Sequence, residues 1–531
     1  MNRWQIALLA LLGLLACGVS LVATSTGVGL GPDSYVYIAA ARSLLAGDGL
    51  RIPQGPDSSV YTAHFPPLYA SLLALSSLGA FDPQHTARWL NALFFGASVF
   101  LTGLSIWRLS GRVFPAAWLG ALLCLASAEI LLIHAQVWSE APFFFLMLLG
   151  LLLLSRSLAA QGNAPLILSA AAIALACLAR YAGITLAGAG ALAVLLETRR
   201  GLAERARRAA LFLAISLTPL GLWLLYNLAV AGSLTNRSLS RHPVSLRDLR
   251  QGATTVAGWL FPGVSLNPFL EILSMAAILA GLALLVASLL RADRHPEHAN
   301  RHPERADRPP ERSEGSPPQP YSLFSLVYVL FLLLSLSLLD AQTSLDARIL
   351  SPVYIVALIL VASALARWLP AAHKVARWLA LSLLAVFTAA QLVSGVGMAR
   401  GLYAGEDKGY TSAYWLNSKL IQQVRGLPDA IPIYSNGADA IYLLTGKPAI
   451  GLPQEISPNS LKVNPRFEQE LLEMRRALEQ HQGVLVVFYE LEERRRYLPS
   501  EYELNELLPL KRVTRWKNEG ALYRLQGASQ P

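Results

Sequence analysis

The 531-residue chain is 54% hydrophobic and only 15% charged, whereas soluble globular proteins carry roughly 25% charged residues. Apolar runs long enough to cross a membrane recur over its first three-quarters, so the composition excludes a soluble protein and predicts a polytopic membrane protein. The formal net charge is +10, but most arginines lie in short loops between apolar runs, where positive charge sets membrane orientation. Membrane lipids are therefore expected partners, and nucleic acid is not.

The apolar runs predict about eleven membrane-spanning helices. The first run continues to about Thr26, which indicates an uncleaved helix rather than a signal peptide. The stretch 67–79 begins with two prolines and is not expected to cross, and 165–196 is expected to form two short helices that turn at Arg180 and Tyr181. The predicted spans are 5–27, 86–108, 114–135, 138–158, 165–179, 182–196, 208–230, 270–290, 321–339, 351–367 and 378–398.

Basic residues in the short loops set the expected orientation. They share one side under this topology, which places the N-terminus in the cytoplasm and the C-terminal region outside a bacterial cytoplasmic (inner) membrane. These residues are Arg3, Arg108, Arg112, Arg156, Arg199, Arg200, Arg205, Arg207, Arg208, Arg367, Lys374 and Arg377. The segment 291–320 falls on the same side. Because it is polar and Pro-rich, we predict a disordered loop whose histidines (His295, His298 and His302) are solvated rather than metal-binding.

The composition changes at about residue 401, where apolar runs become short and charged residues become frequent. We therefore predict a mainly α fold with a transmembrane domain over 1–400 and a small extracytoplasmic α/β domain over 401–531. Strands are predicted at 430–435, 483–489, 512–516 and 521–525, and helices at 438–444 and 466–481.

Acidic residues collect on the predicted outer side. Asp33 lies in the first outer loop, 28–85, just before an amphipathic helix at 35–45, and Glu140 opens the fourth span. Each carboxylate is interpreted either as a helix cap or as a functional group at a membrane boundary. Two carboxylates in one cavity would let one activate an acceptor while the other holds it or binds a metal. The sequence requires no cofactor, and it leaves a divalent metal open.

Several short motifs resemble those of GT-C fold glycosyltransferases, in the branch related to protein mannosyltransferases and to the lipid A aminoarabinose transferase. The resemblance covers roughly residues 1–400 in layout. The first outer loop, the second acidic turn, a helix break and an element near the last helices each contribute. They are PDSY at 32–35, ARSLLAGDG at 41–49, FPPLY at 65–69, WSEAP at 138–142, LARYAG at 178–183 and DARILSP at 346–352.

The resemblance implies an enzyme that moves a sugar from a polyprenyl-phosphate donor to a glycan, lipid or protein on the outer face of the membrane. It implies Asp33 as the catalytic carboxylate and Glu140 as the second acidic position. Arg180 and Arg348 are the candidates for donor phosphate binding, because a guanidinium presents a planar, permanently charged fork to phosphate oxygens. The full set of substrate-binding candidates is Tyr35, Tyr61, His64, Arg180, Tyr181, Asp346 and Arg348.

One departure from the family pattern concerns the acceptor. The aminoarabinose-transferase branch has an acid–base pair before its Pro-Pro, where this chain has His64 and Phe65. Lipid A is therefore not the expected acceptor. His64 is interpreted either as a group for proton transfer or metal binding, or as an interfacial residue that only forms hydrogen bonds.

Two further questions stay open at this level. The outer loop 231–269 carries Arg237, Arg241, Arg247 and Arg250, either as a basic lip for anionic lipid with an amphipathic helix at 245–259, or as a solvated loop. The alternative functions are a polysaccharide polymerase or ligase that uses diphosphate-linked glycans, a secondary transporter with charges near mid-helix, and a scaffold without catalysis.

Overall fold

The computed structural model describes residues 1–159, 162–237, 239–264, 267–278, 281, 319–339, 343–458 and 460–526. The described residues before 405 are mainly helical. Its helices are α1 (Arg3–Ala23), α2 (Pro32–Leu45), α3 (Leu68–Ser76), α4 (Pro83–Leu109), α5 (Phe114–Ala126), α6 (Ala128–Ala135), α7 (Glu140–Ala159), α8 (Ala164–Ala179), α9 (Ile184–Leu195), α10 (Leu202–Ala231), α11 (Leu246–Leu260), α12 (Pro268–Ile278), α13 (Gln319–Leu338), α14 (Ala347–Trp368) and α15 (Lys374–Ala404). A two-stranded antiparallel hairpin, β1 (Arg51–Pro53) and β2 (Ser59–Tyr61), follows α2.

The polytopic helical fold predicted from the apolar runs is confirmed. Within the described ranges, seven helices are long and apolar enough to cross a membrane, namely α1, α4, α7, α10, α13, α14 and α15. The predicted span 114–135 is the pair α5 and α6, bent by 56° at Ser127, and it makes an eighth if the pair is one span. The predicted span 270–290 begins within α12 and then passes beyond the described residues. The predicted disordered loop and its three histidines also lie outside them, except for its last two residues, which begin α13.

The two short helices predicted over 165–196 are α8 and α9. The chain breaks between them because Arg180 is extended, with φ −147° and ψ 138°, and residues Tyr181–Gly183 form a 3₁₀ turn. A Cβ at Gly183 would lie 2.6 Å from the backbone of Cys177, so a glycine is needed at this close approach. Helix α3 is likewise as predicted, since its nine residues span only about 14 Å of a bilayer core roughly 30 Å thick.

The region after residue 404 contains a five-stranded mixed sheet of order β4-β3-β5-β7-β6. Its elements are α16 (Ala413–Leu416), α17 (Lys419–Arg425), β3 (Ile433–Ser435), α18 (Ala438–Thr445), β4 (Ile450–Gly451), α19 (Phe467–Gln480), β5 (Val484–Phe488), α20 (Glu501–Leu507), β6 (Leu510–Trp516) and β7 (Gly520–Leu525). Strand β3 runs parallel to β4 and β5, and β7 runs antiparallel to β5 and β6. The apolar run of β5 is buried at all five positions, as expected for a central strand covered on both faces.

This C-terminal sheet packs directly on the loop that carries Asp33. Tyr37 of α2 and Leu73 of α3 belong to the same buried apolar cluster as Ile433 of β3 and Ile441 of α18. Helix α15 continues to Ala404, slightly past the predicted division at residue 400. The division into two domains therefore stays a prediction, while the contact between the two regions is extensive.

A buried ion pair stabilises the C-terminal region. Arg494 donates from both terminal nitrogens to the two oxygens of Asp439, each at 2.8 Å, and the hydroxyl of Tyr410 donates to the same carboxylate at 2.7 Å. Burial acts to raise the pKa of Asp439, but the hydrogen bonds and charge of Arg494 outweigh it and hold that pKa below its usual value. Stability from this group is therefore present above pH about 4 and is lost as the pH falls through the lowered pKa.

We expect Asp439→Ala to destabilise the C-terminal sheet by about 3–5 kcal/mol, because it leaves the Arg494 guanidinium buried without its partner. Hydrogen–deuterium exchange of the β3 and β5 amides in the full-length protein would measure this as a lower free energy of opening. Asp429→Ala is the matched control, since Asp429 is 90% exposed in its pair with Lys447 and should cost less than about 1 kcal/mol. Equal effects of the two substitutions would contradict a structural role for the buried pair.

Candidate active site

Two carboxylates and two guanidiniums meet at one end of the helical body. Arg348 donates from Nη2 to Asp33 Oδ2 at 2.6 Å and from Nε to Glu140 Oε1 at 2.5 Å. The same oxygen of Glu140 lies 2.5 Å from Arg180 Nη1. The structure thus brings together both predicted catalytic acids and both predicted phosphate-binding arginines, in a cluster whose formal charges cancel. We call these four residues the charge cluster.

Asp33 lies in the first turn of α2, but it is not the cap of that helix. The N-cap is Gly31, and Pro32 is the first helical residue. Ser34 Oγ accepts from the Gly31 amide and donates to the Val137 carbonyl, so the amide of the N-cap residue is satisfied without Asp33. The carboxylate is left to contact Arg348 and keeps 28% of its side-chain surface exposed.

Glu140 is the first residue of α7 and is almost fully buried, with 2% of its side chain exposed. Buried charges of this kind require partners, and here two arginines supply them. Asp33 is therefore the accessible acid of the charge cluster, whereas Glu140 lies beneath the guanidiniums and orients both.

The N-terminal cap of α14 positions Arg348. Asp346 caps α14, with Oδ1 accepting from the Ile349 amide at 2.9 Å and Oδ2 accepting from the Ser344 hydroxyl at 2.7 Å. This cap places Arg348 in the first turn of the helix, over the ring of Trp138 at 4.1 Å from its centroid. Asp346, a predicted substrate-binding residue, thus acts here as a helix cap that positions its neighbour.

Three residues of this site, Tyr37, Trp138 and Ser139, were not among the site residues predicted from the sequence. Ser139 Oγ accepts from Arg180 Nη1 at 3.2 Å and from the Tyr37 hydroxyl at 2.8 Å, and Trp138 stacks on Arg348. Burial raises the pKa of Tyr37, so its phenol stays protonated and donates. A usable sequence signal existed for Tyr37, because it lies four residues after Asp33 and hence on the same face of a helix.

Besides Asp346, four predicted substrate-binding residues lie outside the charge cluster. Tyr35 donates to the Pro53 carbonyl at 2.8 Å and packs edge-on against Tyr442. Tyr61 lies under the guanidinium of Arg51 at 4.3 Å, and His64 packs edge-on against Phe65. Tyr35 thus joins α2 to the β1–β2 hairpin and to α18.

Tyr181 is the fourth, and its hydroxyl is fully engaged. It donates to the Ala63 carbonyl at 2.9 Å and accepts from Trp223 Nε1 at 3.3 Å and Asn227 Nδ2 at 3.5 Å. A phenol has one donor and two acceptor positions, and these three contacts occupy them in this structure. Tyr181 joins the α8–α9 turn to the end of the first loop and thereby positions Arg180 beside it.

Three distant backbone segments form a frame around Asp33. Gly29 pairs with Gln136, and Leu30 pairs with Gly409, through bonds that include Leu30 N to Lys408 O at 3.0 Å and Tyr410 N to Leu30 O at 2.9 Å. The side chain of Gln136 also donates to the Asp407 carbonyl at 2.6 Å. The C-terminal region therefore contributes directly to holding the segment that precedes Asp33.

We expect Gly409→Ala to open this frame. Gly409 has φ +54°, and a Cβ there would clash with the Leu30 carbonyl oxygen. A positive φ alone costs about 1 kcal/mol for a residue with a side chain, so amide exchange at Leu30 and Tyr410 should rise by about tenfold or more. Gly446→Ala is the control, because Gly446 has φ +77° with nothing within 4 Å. Equal amide exchange at Leu30 and Tyr410 in the two variants would argue against this backbone frame.

Metal binding was left open by the sequence. In the part of the chain that the structure describes, no group of three or more His, Cys, Asp and Glu side chains lies close enough to hold an ion. The oxygens of Asp33 and Glu140 that face inward contact guanidinium nitrogens instead.

Comparisons with known proteins agree on the architecture. No protein-family model matches the chain, and no curated protein matches its sequence. Two solved structures of ArnT from Cupriavidus metallidurans match over 98% of this chain and 98% of theirs, at 16% identity. The apo structure aligns with a TM-score of 0.59, and the structure bound to undecaprenyl phosphate aligns with 0.58. The chain therefore has the GT-C fold that its loop motifs resemble.

Proposed function

We propose that the chain is an integral-membrane glycosyltransferase that moves a sugar from a polyprenyl-phosphate donor to a glycan, lipid or protein acceptor. The observation that carries this proposal is the charge cluster, with its two arginines and one accessible carboxylate at an end of the helical body. Its support from the comparisons is that ArnT, which shares the fold, was solved with undecaprenyl phosphate bound.

The arginines are suited to the leaving group. A polyprenyl-phosphate donor develops negative charge on its phosphate as the glycosidic bond breaks, and preorganised positive groups stabilise that charge. Arg348 and Arg180 are already oriented by Glu140, with 24% and 19% of their side chains exposed. A phosphate that approaches them would compete with Asp33 for Arg348 and so release the carboxylate from its ion pair.

Asp33 would then act as the general base. It accepts the proton of an acceptor hydroxyl or amine while that group attacks the anomeric carbon. Glu140 stays beneath the arginines and keeps their charge in place. We infer no direct contact of Glu140 with substrate, because its side chain is only 2% exposed.

The proposed orientation places Asp33 outside the cytoplasm. Its support is the distribution of the loop arginines and lysines, which lie at the helix ends opposite Asp33. Arg3 begins α1, Arg108 and Arg156 end α4 and α7, and Lys374 begins α15. Positive residues favour the cytoplasmic side, so the C-terminal region would be extracytoplasmic. Labelling of a cysteine at position 33 by a membrane-impermeant reagent checks this, and labelling only after cell lysis would refute it.

The position of the charge cluster favours an enzyme over a transporter. Asp33, Glu140 and Arg348 lie in the first turns of their helices, and Arg180 follows the last residue of α8. Secondary transporters typically place charged groups near the middle of their spans. A polymerase or ligase would use the same end of the fold but would take a diphosphate-linked glycan.

Mass spectrometry of lipid-linked sugars in cells with and without the gene separates these functions. Loss of the transferase should cause one polyprenyl-phosphate monosaccharide to accumulate. Accumulation of a diphosphate-linked glycan would instead identify a polymerase or ligase. An unchanged lipid profile, together with no binding of undecaprenyl phosphate by the purified protein, would refute the proposed function.

A further inference from the structure

A partly open polar cavity lies between helices of the helical body, and none of the four charge-cluster residues lines it. It has a volume of about 170 Å³ and is bounded by the α5–α6 break, the end of α11, α14 and α15. Its polar walls come from Ser127, Glu129, Tyr354, Gln391 and Ser394, and its aromatic walls from Trp259 and Phe261. That volume accommodates on the order of ten water molecules. A pyranose sugar has a similar number of non-hydrogen atoms.

Glu129 is the feature of this cavity that requires an explanation. It is the second residue of α6, just after the break at Ser127, and hence about 20 Å into a span that begins at Phe114. Among the described residues, none forms an ion pair with its carboxylate. An ionisable side chain inside a helical bundle is expensive and usually faces a ligand or water-filled cavity, and broken helices occur where they line such a cavity.

The other polar wall residues form a connected frame. Gln391 donates to the Tyr354 hydroxyl at 3.4 Å and to the Trp259 carbonyl at 3.5 Å. The rings of Trp259 and Tyr354 lie 5.1 Å apart. These contacts join α11, α14 and α15 into one frame, and the segment 261–264 that follows α11 closes a further side of the cavity.

The chemistry of the walls indicates the ligand. They combine one carboxylate, an amide, hydroxyls and aromatic faces, and no lysine or arginine is among the lining residues. A phosphate or carboxylate would be repelled by Glu129. A sugar ring fits this lining, because its hydroxyls can donate to Glu129 and Gln391 while its C–H face lies against an aromatic ring.

This cavity is separate from the position of the transferred sugar. Tyr354 lies six residues after Arg348 in α14, which is about 9 Å along the axis and on a different face. The two sites are nevertheless linked, since Thr255 of α11 donates to the Leu345 carbonyl at 2.8 Å, just before the cap of α14. We propose that the cavity binds a sugar ring of a glycolipid acceptor. The acceptor role rests on the proposed function, but the binding of a sugar does not.

Photo-crosslinking tests the site directly. The full-length protein would be placed in phosphatidylethanolamine–phosphatidylglycerol nanodiscs and exposed to a hexyl β-glucoside with a diazirine in its chain. A probe with the same chain and a tetraethylene glycol head is the control. We expect only the glucoside to label α6, α11 and α14, and excess methyl β-glucoside to suppress that labelling. Equal labelling by both probes would overturn the proposal.

Substitutions of the lining residues then test whether the labelling depends on this cavity. Trp259→Leu and Glu129→Gln should each reduce glucoside-dependent labelling by roughly three- to tenfold. Trp89→Leu is the matched control and should change nothing, since Trp89 lies on α4 with 57% of its surface exposed. Unchanged labelling in the isosteric Glu129→Gln variant and in Trp259→Leu would overturn the assignment.

Undecaprenyl phosphate binding, measured on the same samples by native mass spectrometry, separates this inference from the proposed function. We expect both cavity variants to bind undecaprenyl phosphate as the parent protein does, because its phosphate would contact Arg180 and Arg348. Displacement of the glucoside probe by undecaprenyl phosphate would show that the cavity belongs to the donor and would refute an acceptor site. Glucoside labelling without any undecaprenyl phosphate binding would sink the proposed function while leaving the sugar site intact.

Discussion

Asp33→Asn is expected to remove nearly all sugar transfer while leaving the protein folded and inserted. General-base assistance contributes about 10²–10⁴-fold to such reactions, and an amide cannot accept the acceptor proton. The substitution preserves shape, and Asp33 keeps 28% of its surface exposed, so little folding energy is at stake. The readout is the amount of polyprenyl-phosphate monosaccharide that accumulates in cells carrying only the variant.

Asp82→Asn is the control for this experiment. Asp82 pairs with Arg42 of α2 at 2.8 Å and is 36% exposed, so it lies near the same helix without belonging to the charge cluster. We expect near-normal transfer in that variant. Full activity of Asp33→Asn, in protein shown to be present in the membrane, would remove Asp33 from the catalytic role.

Arg348→Gln is expected to have the second large effect. It removes the contacts of one guanidinium with Asp33 and Glu140 and leaves Glu140 buried with Arg180 as its remaining partner. Undecaprenyl phosphate should bind roughly 10- to 100-fold more weakly, since hydrogen bonds to charged groups contribute about 1.5–3 kcal/mol. Transfer should fall by about 10²–10³-fold, as when a preorganised electrostatic donor is lost.

Arg348→Lys separates charge from geometry. Lysine keeps the positive charge but lacks the planar fork that reaches both carboxylates, so only partial recovery is expected. Arg42→Gln is the matched control on a guanidinium outside the charge cluster. If the Arg348 variants bind undecaprenyl phosphate as tightly as the control does, Arg348 does not hold the donor phosphate.

The losses of transfer caused by Asp33→Asn and Arg348→Gln should not be additive. Asp33 and Arg348 contact each other, and residues in contact couple by about 0.5–3 kcal/mol. If the phosphate releases Asp33 from Arg348, the loss in the double variant should be smaller than the product of the single losses. This non-additivity would support the ion pair as a resting state that substrate opens.

The sequence by itself determined that the chain is a membrane protein. It also placed the candidate acids and arginines at helix ends. Apolar runs indicate burial in lipid without any need for tertiary contacts. The α8–α9 turn at Arg180 followed from placing the basic residues of the short loops on one side of the membrane. Local signals also placed Asp33 and Glu140 at helix starts, although they could not separate capping from function. The structure excludes the cap role for Asp33 because Gly31 takes the cap position.

Only the tertiary structure decided which of these residues meet. Asp33 and Arg348 are 315 positions apart, and Gln136 and Asp407 are 271 apart, so their contacts depend on how the helices pack rather than on any local pattern. The same holds for Tyr181 and Asp346, whose positions in motifs suggested substrate binding but whose polar atoms are used by the protein itself. Hydrogen-bond capacity is finite, and only the packed chain shows where it is already taken.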